Sequence, residues 1–180
     1  MSLTINATPG DPTANSFVLE TEQIAYMATR LNASAWTTVS GATCLEPEKA
    51  AMIEATREIS TLLWQGRRVS DAQALSWPRL FVINPDSPIQ FFYASTVIPQ
   101  RVKDATSELA FQFLNLGTTD LASLDPSLQL AESDVDVIKT RYVEPYFRAR
   151  GLSRFPRVMN YIKPMLDPIG RGTTFQVIRG

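Results

Sequence analysis

The stretch IPQRVKDATSELAFQFLNLG, residues 98–117, narrows the choice of fold more than any other. Val102, Ala105, Leu109, Phe113 and Leu116 recur at intervals of 3, 4, 4 and 3, a spacing that puts them on one side of an α-helix. Ala110, Phe111 and Leu114 widen that side, so the helix belongs at the centre of a domain, covered by other elements. Ile98-Pro99 opens it and Gly117 closes it.

Three further helices are expected around it. Ile24, Met27, Ala28 and Leu31 mark one over 21–32, with Thr21 as its cap. Glu46-Pro47 starts a second that runs to Gln65, with Ala51, Ala55, Ile59, Leu62 and Leu63 on one face and Gly66 as its stop. Ser153 caps a third to Leu166, with a stripe of Phe155, Val158, Met159, Ile162 and Leu166; Pro164 must kink or end it. Trp36 is the one bulky anchor of the small-residue loop between the first two helices. Residues 1–15 are rich in Thr, Asn, Pro, Gly and Asp and read as a loose leader.

The segment QALSWPRL, 73–80, breaks the helical pattern. The residue before a proline is biased to extended geometry, so Trp77-Pro78 is a corner. Beyond it, Leu80 to Ile83 and Ile89 to Tyr93 are β-branched and aromatic runs separated by Asn-Pro-Asp-Ser-Pro, the pattern of a β-hairpin or an extended, exposed loop. Residues 117–132 read as a linker with a helical turn near 128–132, and Val135, Val137, Ile138 and Tyr142 as a short strand. The chain closes with a β-prone Phe175-Gln176-Val177-Ile178 before Arg179-Gly180.

Composition removes much chemistry. The 180 residues contain no histidine and one cysteine, Cys44, which excludes Ser-His-Asp and Cys-His nucleophile systems and makes a zinc site untenable. The carboxylates at Glu54 and Glu58, and at Asp134 and Asp136, read as solvated faces. The glycines flanking Arg171 lack the Lys-Ser/Thr or third glycine of a phosphate loop. No catalytic residue, metal or cofactor is expected, and the chain is not expected to be an enzyme. Its apolar runs are too short to cross a bilayer and its start lacks the features of a signal peptide, so a soluble protein is expected.

Charge is distributed unevenly. Residues 139–180 carry nine basic and two acidic side chains, a net +7; the other eight basic and sixteen acidic residues make −8, for a total of −1. Such asymmetry suits an arm that meets an acidic or phosphate surface, or a neighbouring copy; a cationic surface that only aids solubility is the plainer reading. Within RYVEPYFRARGLSRFPR, 141–157, Arg148, Arg150, Arg154 and Arg157 interleave with Tyr142, Tyr146, Phe147 and Phe155. Phosphate pairing with base stacking is what a single-strand binder uses. Arginines beside apolar groups also anchor protein partners, and this stretch alone does not separate the two.

Several motifs occur together in order: Ser16-Phe17-Val18, Trp64-Gln65-Gly66-Arg67-Arg68, Gln73-x-Leu75-x-Trp77-Pro78-Arg79, Ile98-Pro99, Val102-x-x-Ala105-x-x-Glu108-Leu109-Ala110 and the final Arg179-Gly180. The series resembles a family of head-tail adaptor, or head completion, proteins of tailed bacteriophages, whose members are often described as DnaT-like single-stranded DNA-binding proteins. The chain departs from it after Arg79, where Leu80 and a proline-rich turn replace a glycine-containing loop.

The resemblance implies a mainly α fold: a small helical bundle over 16–166, a projecting hairpin or loop at about 80–97, and an extended C-terminal arm over 167–180. It implies a ring, usually of about twelve copies, between the portal protein and a tail or nozzle protein in the virion, made in the host bacterial cytoplasm. Double-stranded DNA would pass through without sequence-specific contact, and no membrane is involved. On this reading Arg171, Phe175, Val177, Ile178 and Arg179 dock on the portal. Arg67, Arg68, Trp77, Pro78 and Arg79 brace the corner or a neighbouring subunit, and Arg148, Arg150, Arg154 and Arg157 meet DNA or an acidic partner. The alternative is a single-stranded DNA-binding protein of phage replication.

Overall fold

Gln100–Leu116 is the longest helix of the computed structural model, α3 in an order α1 (Glu20–Ala28), α2 (Glu46–Ser60), β1 (Arg67–Arg68), β2 (Arg79–Leu80), α3, β3 (Glu132–Val135), β4 (Ile138–Arg141) and α4 (Pro156–Ile162). Short 3-10 turns at Gly151–Arg154 and Lys163–Met165 flank α4. The structure describes residues 2–38, 40–41, 43–87, 89–119 and 151–167, and the backbone of 132–135 and 138–141. The fold is mainly α, and no described helix is long and apolar enough to cross a membrane.

α3 is central because its apolar side is wide. Val102, Ala105, Leu109, Ala110, Phe111 and Phe113 are buried, and α3 packs against α2, α4 and α1. Each large side chain taken out of water in this way contributes roughly 1.5–3 kcal/mol before ordering costs. Leu116, at the end of the predicted stripe, is exposed. Gly117 terminates the helix in the left-handed region at φ 67°. From α2 the core receives Met52, Ala55 and Ile59, and from α4 Val158 and Ile162, followed by Met165 and Leu166.

The flanking helices differ from expectation at their ends. α1 stops at Ala28, and Leu31 is left exposed, because Thr29 Oγ1 donates back to the Tyr26 carbonyl and Asn32 turns the chain at φ 57°. Thr21 does not cap α1; Glu22 accepts a 3.1 Å hydrogen bond from the Leu19 amide instead. Glu48 does the same for α2, at 2.8 Å from the Leu45 amide, half of a capping box in each case. α2 ends at Ser60, well before Gly66, so Leu63 faces solvent. α4 begins at Pro156 and not at Ser153, and Pro164 falls in the 3-10 turn after it.

The expected loose leader is pinned to the body. Leu3 donates its amide to Glu46 at 2.7 Å and accepts from Lys49 Nζ at 3.2 Å, and Asn6 and Asn15 bind one another's backbones. Ala7 and Ala14 are buried. Polar residues that bury little apolar surface are thus ordered by hydrogen bonds. Around 135–142 a single strand was expected, whereas β3 and β4 form an antiparallel pair with Val135 opposite Ile138. The imperfect apolar alternation there marks a reversal. The expected turn near 128–132 lies outside the described residues except Glu132, which opens β3.

Candidate interaction site at the corner and hairpin

Gly66 starts the corner. Its φ is 66°, and a Cβ there would lie 1.9 Å from the Leu80 carbonyl oxygen, so only glycine lets the two segments approach. β1 and β2 then pair antiparallel, Arg67 opposite Leu80 and Arg68 opposite Arg79. Between them, buried Gln73 staples the loop: its amide donates to the Leu75 and Pro78 carbonyls at 2.8 and 3.1 Å, and its oxygen accepts from the Ser70 amide at 3.1 Å. The Trp77-Pro78 bond is cis.

Arg79 is directed into the corner. Its guanidinium donates to the carbonyls of Gln65 and Gly66, both at 2.9 Å, and of Ser76 at 3.2 Å. Burial, with Arg68 nearby, lowers its pKa. Trp77 is 1% exposed and meets Trp64 and Tyr93 edge to face, with centroids 5.4 and 6.2 Å away. Trp64 Nε1 donates to the Ile59 carbonyl at 3.2 Å. These three rings join the corner to the end of α2 and to the hairpin.

The hairpin itself is minimal. Tyr93 donates its amide to the Val82 carbonyl at 3.0 Å, Asn84 to that of Phe91 at 2.9 Å, and Ile83 bridges Phe92. Val82 points inward and is fully buried, while Phe81 is 58%, Ile89 95% and Phe91 67% exposed. Ile83 and Phe92 are also exposed. The three phenylalanines form a chain, Phe81 to Phe92 at 5.9 Å and Phe92 to Phe91 at 4.9 Å. Arg67 lies over the Phe81 ring at 5.7 Å, within cation–π range. Phe81 also has φ 62°, a costly backbone for a bulky residue that persists only where the surroundings impose it. The Arg101 guanidinium beside Asp86 ties the hairpin to the start of α3 and holds that carboxyl below the usual range.

A cleft of about 640 Å³ opens beside these residues, lined by Gly66, Arg67, Arg68, Val69, Asp71, Arg79 and Leu80. Among the described residues, no carboxylate pairs with Arg67, Arg68 or Arg79. The arrangement offers cationic donors next to an exposed apolar and aromatic surface. It suits recognition and contains no nucleophile paired with a base.

The other predicted residues lie elsewhere. Arg157 is exposed in the first turn of α4, its Nε 3.7 Å from Glu108. Arg154 is half-buried in the turn before α4, and Phe155 packs against the core. Of the aromatics in 141–157, only Phe155 lies among the described residues, and it packs against the core and not outward beside the arginines. Arg148 and Arg150, with Arg171, Phe175, Val177, Ile178 and Arg179 of the expected arm, lie outside the described residues.

Two buried ionic centres were missed from the sequence. Glu108, 1% exposed, accepts from Arg30 at 2.8 and 2.9 Å, from Gln112 at 2.9 Å and from Tyr26 at 3.2 Å. Burial raises its pKa, but Arg30 and Gln112 outweigh that and hold the carboxyl below the usual range. Arg30 also lies 3.8 Å from the Phe111 ring centroid. Glu48 accepts the amides of Thr37 and Thr38, each at 2.9 Å, and so ties the loop after α1 to α2. Their signal was an acid on the apolar side of a helix. Both read as structural, because protein donors occupy their oxygens.

Cys44 is buried beside Glu20 and Glu48, and burial followed by those carboxylates pushes its thiol up to about 12. That leaves it inert at neutral pH. Among the described residues no cluster of three His, Cys, Asp or Glu side chains could hold a metal ion.

Comparison with known proteins places this arrangement in a family. No curated protein and no solved structure matches the chain. A family model described as "Putative DnaT-like ssDNA binding protein" matches residues 1–180, and the chain belongs to that family.

Proposed function

We propose that the chain is a structural subunit of a phage virion: a head-tail adaptor whose copies form a ring that binds the portal protein and connects it to the tail. The observation that carries this reading is the hairpin, which exposes Phe81, Ile83, Ile89, Phe91 and Phe92 beside two arginines without a carboxylate partner among the described residues. Aliphatic groups such as Ile83 and Ile89 do not stack on bases, and a contiguous apolar surface of this kind marks a protein contact. The motif series WQGRR, QALSWPR and IPQRV supports the same reading. An adaptor needs helical faces for its neighbours and an arm for the portal, and it needs no active site. The chain would sit at the neck of the virion, with double-stranded DNA passing through the ring.

Single-strand binding is the second reading, and it is the one the family's description favours. Arg67 over Phe81, with Phe91 and Phe92 alongside, offers it a cation and stacking rings.

Two measurements separate them. Native mass measurement of the chain mixed with portal protein should give a closed complex, and a chain ending at Asp167 should bind portal far more weakly than the full chain; equal binding would remove the arm from the reading. Titration with a single-stranded oligonucleotide should show only weak binding. Submicromolar affinity with a steep salt slope, about −0.7 per phosphate contacted, would favour strand binding and count against the adaptor.

A further inference from the structure

We propose that the hairpin of one copy docks, head to tail, in an apolar groove between α2 and α3 of the next copy. The inference rests on the reading of the chain as an assembly subunit. The groove, about 510 Å³, is lined chiefly by Pro47, Ala50, Ala51, Phe113 and Leu114, with Glu54 at its edge. It has room for more than one large side chain.

The two surfaces are complementary and cannot meet within one molecule. Asp86 of the hairpin pairs with Arg101 in the first turn of α3, whereas the groove is bordered by Phe113 and Gly117 at the other end of that helix. Along α3, Arg101 lies roughly 18 Å from Phe113 and roughly 24 Å from Gly117. Exposed Phe91 and Ile89 lead the hairpin, and Arg67 and Arg68 flank its base. Glu54 lines the groove and the half-exposed Glu46 lies just before Pro47; each has a partner along α2, Glu54 in Arg57 and Glu46 in Lys49. Apolar groups thus face an apolar trough, and Arg67 and Arg68, without a carboxylate partner among the described residues, face Glu54, whose exposed pair with Arg57 is weak enough to exchange. Because the patches differ, the contact is heterologous, and such a contact repeats from copy to copy until rotation closes it.

The test uses the full chain and two exposed substitutions. Phe91→Asp removes the hairpin's apolar lead, with Ile89→Asp as a second variant of the same surface, and Ala50→Arg fills the groove and opposes Arg67 and Arg68. Melting profiles should match the parent, since all three positions are exposed. Sedimentation from about 1 μM to about 1 mM should show self-association of the parent and at least a tenfold weakening in each variant. An equimolar mixture of Phe91→Asp and Ala50→Arg should form a 1:1 dimer and stop, because each chain retains one working half. A parent that stays monomeric throughout, variants that associate as the parent does, or a mixture that stays monomeric would each overturn the proposal. Loss of oligonucleotide binding by Phe91→Asp with self-association unchanged would assign the hairpin to nucleic acid instead. Portal binding is scored separately: head-to-tail association without it keeps this contact and loses the adaptor reading, and portal binding without self-association does the reverse.

Discussion

Between Trp77 and Tyr93 the chain carries two aromatic groups with opposite fates. Trp77 turns inward onto Trp64 and Tyr93 packs on Trp77, and Val82 between them is fully buried. Phe81, Phe91 and Phe92 turn outward, touch one another and stay exposed. At Phe81-Val82-Ile83 and at Phe92-Tyr93 adjacent positions point to opposite faces, while Phe91 departs from the alternation and is exposed like Phe92; the hairpin thus serves the core with one face and presents the other. The inward rings hold the corner, and the outward rings are available to a partner. Arg79 and Arg67 repeat the division: one satisfies three carbonyls of the corner, the other lies over an exposed ring.

Truncating the inward face should cost the most. Trp77→Ala is expected to destabilise the fold by about 3–5 kcal/mol, read from urea midpoints; a loss below about 1 kcal/mol would show that the two faces do not differ as described. Arg30→Met tests whether the ionic centre around α3 matters comparably. It leaves the buried Glu108 charge without its main partner, at a cost of about 3 kcal/mol at neutral pH. Because Glu108 is held below its ordinary range in the folded state, its contribution is present above the unfolded value near 4.3 and is lost as pH falls through the folded one. The gap between parent and variant should therefore narrow in acid; a gap independent of pH would point to lost packing on Phe111.

Gly66→Ala comes next, at about 2 kcal/mol, since a Cβ there meets the Leu80 backbone. Hydrogen exchange at Arg67, Arg68 and Val69 should rise with it, because β1 and β2 must separate. Smallest of all is Phe91→Ser, expected to change stability by no more than about 0.5 kcal/mol while weakening assembly. A large stability loss would make the outward rings part of the core and erase the comparison.

Much of the bundle was legible from spacing. α3 was readable nearly to the residue because its stripe is long and its terminators, Pro99 and Gly117, are local. Helix ends controlled by side-chain hydrogen bonds were not: Glu22 took the place of the expected Thr21 cap, and α2 stopped at Ser60 although Leu62 and Leu63 continued its period. The leader looked disordered because composition registers apolar content and not the reach of Lys49 and Glu46 across the fold. At the site, the corner was visible in Trp77-Pro78-Arg79. The outward phenylalanines were seen as part of a hairpin, but nothing local distinguished them from Val82 and Tyr93.

What the sequence determined by itself is what depends on near neighbours: the helical stripes, the corner before Leu80, the reversal at Asn84-Pro85, and the absence of histidine chemistry. Only the tertiary structure decided which aromatic faced inward, that Arg79 would meet the carbonyls of Gln65 and Gly66, and that Glu108 would find Arg30. Those outcomes depend on partners 13 to 78 residues away. A local pattern carries the periodicity of a segment, but the choice between burial and exposure is made by what the rest of the chain places against it.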